Sequence, residues 1–230
     1  MKREPVVIKI SGSFIQPEKL DMIKRYAEVL LHAWERKSIR PIVVVGGGNV
    51  ARHYIKCCRE LGASEAILDL IGIEVTRVNA RLLITALKEG AIPHPPKTVE
   101  ELVEALQDPT ERIVVMGGLQ PGQSTNAVSV IAAEVAGASK IINATRVDGV
   151  YDKDPERYAD AKLIPQITLE ELKRLVEGEE SIAGEYKLLD LTAFSLLKRS
   201  RITLYIINGR DPENILRIIS GEKIGTEVVP

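Results

Sequence analysis

The sequence has few cysteines, no long apolar run and no excess of either charge. Only Cys57 and Cys58 occur in 230 residues. Adjacent positions on one helix do not readily bond to each other, and no Cys/His ligand spacing accompanies them. This excludes a disulfide framework and a zinc module, and the pair reads as packing residues of a protein from a reducing compartment. No stretch approaches membrane-spanning length, and the apolar run near Met1 is too short for a signal-peptide core, so the expected location is the cytoplasm. Lys and Arg number 31 against 32 Asp and Glu, a formal charge of −1. That balance excludes the broad basic surface of a nucleic-acid binder and leaves only local clusters such as Lys198, Arg199 and Arg201. His32, His53 and His94 lie in unrelated contexts, and no Ser/His/Asp or Cys/His grouping points to a catalytic nucleophile. Repeats, low-complexity tracts and long linkers are also missing.

Apolar residues make up 45% of the chain and charged residues 27%, which suits one compact α/β unit. Apolar runs at 6–10, 41–45, 112–116, 140–144 and 202–207 read as strands. Between them lie helical-period segments at 17–37, 49–61, 64–88, 98–106, 124–136, 168–177, 187–198 and 212–219. This alternation predicts a mainly parallel sheet covered on both faces. Thr98 with Glu101, and Thr168 with Glu171, fit the capping box of a helix start. The proline-rich run 92–96 must end the helix before it. The polar stretch 148–162, rich in Asp and Tyr, is too irregular for a regular element and reads as a functional loop.

Three strand-to-helix turns carry glycine. Lys9 to Ser13 ends the first strand with a lysine and Gly12, a phosphate cradle without a Walker sequence. Gly46, Gly47 and Gly48 follow the second strand. Asn49 is placed to cap the next helix, and Arg52 offers a bidentate fork to an anion at its terminus. The segment 116–125 follows the third, with Gly117, Gly118 and Gly122 and the hydroxyls of Ser124 and Thr125. Neither the P-loop pattern nor G-x-G-x-x-G is present. Three such turns at one end of successive strands make a crevice for a phosphorylated ligand. A phosphate acceptor is already largely ionised at neutral pH, so transfer to it needs positioning and charge neutralisation more than a general base.

The segments "KISGS", "VVVGGGNVAR", "LDLIGIEVTRVNA", "MGGLQPGQST", "VDGVYDKDP" and "LLDLTAF" occur in order across nearly the full chain. Together they resemble the amino acid kinase family and, within it, the archaeal and bacterial UMP kinases. The resemblance implies a three-layer αβα sandwich and transfer of the ATP γ-phosphoryl group to UMP, with Mg²⁺ held mainly by the ATP phosphates and no protein metal ligand assigned. It further implies a homohexamer and a single domain over 1–230, with 1–144 mainly on the UMP side and 145–230 mainly on the ATP side. By the same resemblance Lys9, Ile10, Ser11, Gly12 and Ser13 hold ATP phosphates, together with Gly48 and Arg52. Thr145, Arg146, Tyr151 and Asp154 surround the adenosine. Gly47, Asp69, Leu119, Gln120, Pro121, Gly122, Gln123, Ser124 and Thr125 take UMP, Asp69 through the ribose hydroxyls. Lys9, Arg52 and Asp190 are the catalytic candidates, Asp190 orienting the lysine or the metal. The chain departs from the family pattern at Asn126, where many relatives have Asp, and at Arg146, where Asn is usual. The alternatives are another small-molecule kinase of the family, acting on carbamate, acetylglutamate or isopentenyl phosphate, and a non-catalytic binding protein comparable to the molybdenum/tungsten storage proteins.

Overall fold

In a computed structural model of the chain, residues 3–36, 39–153, 155, 158, 160–178 and 189–230 are described. Strand β1 (Glu4–Ile10) sends Val6, Ile8 and Ile10 into one buried cluster and Val7 into another on the opposite face. β2 (Ile39–Val45) and β4 (Lys140–Thr145) flank it in parallel, β3 (Val114–Met116) lies beyond β2, and β8 (Thr203–Asn208) lies beyond β4. Strands buried on both faces are what two covering helix layers require. β9 (Thr226–Val229) runs antiparallel to β8 and pairs in parallel with β7 (Gln166–Thr168), giving the order β3-β2-β1-β4-β8-β9-β7.

The face of Ile8 is covered by α1 (Leu20–Arg36), α3 (Glu65–Leu87) and α8 (Asn214–Ile219). The face of Val7 is covered by α4 (Val99–Leu106), α5 (Thr125–Ala136), α6 (Leu169–Gly178) and α7 (Leu191–Ser200). α2 (Gly48–Glu60) packs against α3. The expected αβα sandwich with a mainly parallel sheet is therefore present. Both capping expectations hold: Glu101 N donates to Thr98 Oγ1 at 3.1 Å, and Thr168 and Glu171 exchange N–H bonds at 2.9 and 3.2 Å.

The helical segment expected at 64–88 is the single helix α3. Several other expectations change. Helix α7 starts at Leu191 with Asp190 as its cap, later than residue 187, which lies outside the described residues. The stretch 148–162 is not wholly irregular, because β5 (Val150–Tyr151) pairs with β6 (Leu163–Ile164) as a hairpin. Cys57 is exposed rather than packed, and Cys58 is partly exposed. The basic cluster is paired: Lys198 meets Glu170 and Arg199 meets Glu134, each at 2.7 Å. Arg40 is buried at the start of β2 and donates to the Leu106 and Ala105 carbonyls at 2.6 and 2.9 Å, closing the last turn of α4.

Candidate active site

The ends of β1 and β2 meet backbone to backbone. Gly46 N donates to Ile10 O at 3.0 Å. A Cβ on Gly12 would fall closer than 3.0 Å to Gly46 O, Gly46 C and Gly48 N, a separation real Cβ atoms essentially never show. Gly48 has φ +64°, in the left-handed region that glycine enters without steric cost. Beside this junction Ser11 N donates to Ala144 O at 3.0 Å, and the Ser11 and Ser13 hydroxyls share a 2.9 Å hydrogen bond. The expectation that Asn49 caps α2 is corrected. Gly47 is the N-cap and no side chain caps it, while Asn49 Oδ1 accepts from exposed Arg52 instead. A helix terminus without a side-chain cap presents its first N–H groups to an anion.

Helix α3 fastens the turns at 46–48 and 117–125, a role the sequence reading missed. Asn79 Nδ2 donates to Gly46 O at 2.9 Å and Gly47 O at 3.3 Å. Thr76 Oγ1 accepts from Gly118 N at 2.7 Å while donating to Ile73 O at 2.6 Å. Arg77 reaches Gly118 O at 3.3 Å and Leu119 O at 3.1 Å. The available signal was that Thr76 and Asn79 interrupt the inward row of Ile73, Ala80 and Leu83, where polar residues need partners. Asp69 is near the start of the same helix and accepts from Gly122 N at 2.8 Å, so it also holds the 117–125 loop. Gln120, Pro121 and Gly122 form the exposed tip of that loop, while Leu119, Gln123, Ser124 and Thr125 are half-buried.

Ser124 caps α5 by accepting from Asn126 N and Ala127 N at 3.1 and 3.2 Å, and its hydroxyl donates to Asp190. Asp190 also accepts from Ala193 N at 3.0 Å. Both carboxylate oxygens are thus engaged in helix starts, and Asp190 forms no ion pair with Lys9. Lys9 is half-buried on the Val7 side of β1 and has no ion-pair partner among the described residues. Burial lowers its pKa from 10.5 to about 8.

Beyond β4, Thr145 Oγ1 accepts from Val147 N at 3.1 Å, Arg146 is exposed, and Tyr151 donates to Asp148 at 3.0 Å. Asp154 lies outside the described residues. The strand order β3-β2-β1-β4 sets the segments 117–125, 46–48, 11–13 and 145–146 side by side at the carboxyl edge. Three inter-strand spacings make this a shelf about 14 Å across. Among the described residues no group of three or more His, Cys, Asp or Glu could hold a metal ion.

A shelf of glycine turns with a lysine unpaired among the described residues, at the carboxyl edge of a mostly parallel sheet, defines a phosphate-handling α/β enzyme. The sequence model of the amino acid kinase family matches residues 4–208, and the chain belongs to that family. A protein named uridylate kinase from Hyperthermus butylicus is 48% identical over 226 residues, covering 98% of this chain and 98% of its own length. One of the same name from Methanothermobacter thermautotrophicus is 49% identical, covering 98% and 99%. The crystal structure of uridylate kinase from Archaeoglobus fulgidus superposes with a TM-score of 0.86 at 38% identity over 100% of both chains.

Proposed function

We propose that this protein transfers the γ-phosphoryl group of ATP to UMP, giving ADP and UDP. An oxygen of the UMP phosphate attacks the γ phosphorus, a new P–O bond forms, and the bond from that phosphorus to the β–γ bridging oxygen breaks. The observation that carries this reading is the contact of Gly12 with Gly46 and Gly48. It brings two anion-binding turns to one point with no side chain between them, above a lysine that has no carboxylate partner among the described residues. Lys9 stabilises the charge on the moving phosphoryl. Ile10, Ser11, Gly12, Ser13 and Gly48 line the ATP phosphates, and Arg52 swings from Asn49 to the phosphates at the junction.

On the acceptor side, Gly47 and residues 119–125 enclose UMP, and Asp69 accepts the ribose hydroxyls while keeping its bond to Gly122. Thr145, Arg146 and Tyr151 face the adenosine, and Asp154, outside the described residues, is assigned to it by the resemblance alone. The halves 1–144 and 145–230 then divide acceptor from donor within one domain. Asp190 acts through Ser124 and the start of α5 rather than by pairing with Lys9. Magnesium chemistry fits a site whose phosphates supply the oxygen ligands, since Mg²⁺ is bound by phosphates with few protein carboxylates. When bound with ATP, the ion neutralises phosphate charge.

Ile67, Leu70 and Val78 leave an exposed apolar stripe along α3, which suits contact with an identical copy; the homohexamer and the cytoplasmic location rest on the family resemblance alone. No helix among the described residues is long and apolar enough to cross a membrane. Sedimentation at assay concentration checks the assembly, and a monomer refutes it.

The direct test of function is a coupled ADP-release assay with ATP and Mg²⁺ against UMP, CMP, dUMP, carbamate, acetylglutamate and isopentenyl phosphate. Turnover with UMP well above the others is expected. Turnover with a non-nucleotide acceptor alone overturns the roles of Asp69 and residues 119–125, and none with any acceptor overturns the enzyme reading.

A further inference from the structure

We propose that Asn143 is a positioning residue for Lys9, its carboxamide oxygen holding the lysine ammonium in line with the shelf without cancelling its charge. Lys9 in β1 and Asn143 in β4 are register partners on adjacent parallel strands. Paired positions in a sheet send their side chains to the same face. Here it is the face of Val7 and Ile141, under α5 and α7, where the neighbouring positions are apolar. Lys9 and Asn143 also line one cavity, together with Asn126 and Ser129 of α5 and with Leu189 and Leu197. Asn143 is 2% exposed, and its Oδ1 has no hydrogen-bond partner among the described residues.

A buried amide oxygen without a donor is costly, and a leucine, similar in branching though bulkier, would avoid that cost. Lys9 does not make this bond in the present geometry, but it lines the same cavity from the paired position. Its ammonium, with three N–H groups and no acceptor, is a donor that a change of lysine rotamer on substrate binding brings to Oδ1. Ser129 cannot serve in its present geometry, since its hydroxyl donates to Thr125 O at 2.7 Å. An amide oxygen also differs from a carboxylate in consequence. A carboxylate at 143 would fix Lys9 equally well but would neutralise the charge that the moving phosphoryl requires. The neutral amide fixes the direction of the lysine and leaves its full charge for the substrate.

This inference rests on the reading that Lys9 acts on the transferred phosphoryl. The test compares Asn143→Leu, Asn143→Ala, Asn143→Asp and Lys9→Ala in the full-length enzyme, reading kcat, KM for each substrate, and Tm. Asn143→Leu is expected to lower kcat at least tenfold, leave KM for UMP within about twofold, and leave Tm unchanged or higher. Asn143→Asp should keep Tm and also lose kcat. A fall in turnover without a fall in Tm is what a purely structural asparagine does not produce. Unchanged kcat in Asn143→Leu overturns the proposal, as does a loss of kcat matched by a loss of Tm in both Leu and Ala variants. Should Asn143→Leu fail to fold, Asn143→Ala carries the same readings. If Lys9→Ala retains turnover, the reading of Lys9 fails first, and the two failures are thereby distinguished.

Discussion

Gly12→Ala tests the central geometric claim, that the turns after β1 and β2 are locked backbone to backbone. The added methyl would fall closer than 3.0 Å to Gly46 O, Gly46 C and Gly48 N. None of these is the end of a flexible side chain, so the two strand ends must separate. Overpacking of this kind costs about 1–3 kcal/mol. Parting Gly46 N from Ile10 O, a 3.0 Å bond, strands a donor at a further cost of about 1–3 kcal/mol. The combined loss of about 4 kcal/mol corresponds to a fall in Tm of roughly 8–16 °C for a chain of this size. Turnover should fall more than about a hundredfold even well below Tm, because displacement of the phosphate floor by about 1 Å removes the alignment on which transfer depends. Gly62→Ala is the control: that residue has φ +84° and no atom within 4 Å of the added carbon. It should lose only the left-handed strain, about 1–2 kcal/mol, with kcat unchanged. Calorimetry and the ADP-release assay read both variants. Gly12→Ala with turnover near that of the parent and an unshifted Tm would refute the argument.

Further expectations concern charge and capping. Burial lowers the Lys9 pKa from 10.5 to about 8, so folding disfavours its charged form, a penalty fully present below pH 8 that fades as pH rises to 10.5. Lys9→Met should therefore raise Tm at pH 7, with the gain disappearing by about pH 10.5, while abolishing turnover; a less stable Met variant at pH 7 contradicts the desolvation argument. Asp69→Asn keeps an acceptor for Gly122 N and should weaken UMP binding with little effect on ATP, whereas Asp69→Ala should also loosen the loop, read as faster proteolysis at 120–122. Equal UMP affinity in Asp69→Asn and the parent removes the ribose role. Arg40→Met leaves the Leu106 and Ala105 carbonyls without their donor, and should cost about 3 kcal/mol of stability with substrate KM values unchanged.

The glycine turns were legible in the sequence because only glycine permits their close contacts, and Lys9 was legible because a cation at the end of an apolar strand is conspicuous. The two capping boxes were legible for the same reason, each being a local pattern with a local cause. The contributions of Thr76, Arg77 and Asn79 were not. The inward row marks Thr76 and Asn79 as needing partners, but those partners lie about 30 to 40 residues away in sequence, so which loop each one holds is not local information. The role of Asp190 was only half legible. A carboxylate before a helix is ambiguous between cap and catalytic group until the position of Ser124 is known. Strands β5, β6, β7 and β9 are two to four residues long, too short for a period of two to stand out. β9 in particular exists because β8 offers it an antiparallel edge, a tertiary cause.

The late strand β9 has a consequence for the donor side. The turns at 46–48 and 117–125, which we assign to the acceptor, are clamped by α3. Among the described residues no helix clamps 148–151 in that way, and Asp148 is held by Asn208 while Val150 is held by Thr226. Its hydroxyl is fully buried, accepts from Val150 N at 2.8 Å and donates to Ile164 O at 2.6 Å, closing the β5–β6 hairpin onto the sheet. Gly149 is pressed against the same residue, since a Cβ there would approach Thr226 Oγ1 and Thr226 N. Thr226→Val keeps the volume and removes both hydrogen bonds, leaving one buried donor and one acceptor unmatched, at about 1–3 kcal/mol each. The hairpin carries Tyr151, while α3 and its clamped loops share no bond with Thr226. The variant should therefore raise KM for ATP several-fold and leave KM for UMP unchanged. Equal changes in both would mean that the donor side is not held independently, and the division of labour between β9 and α3 would have to be abandoned.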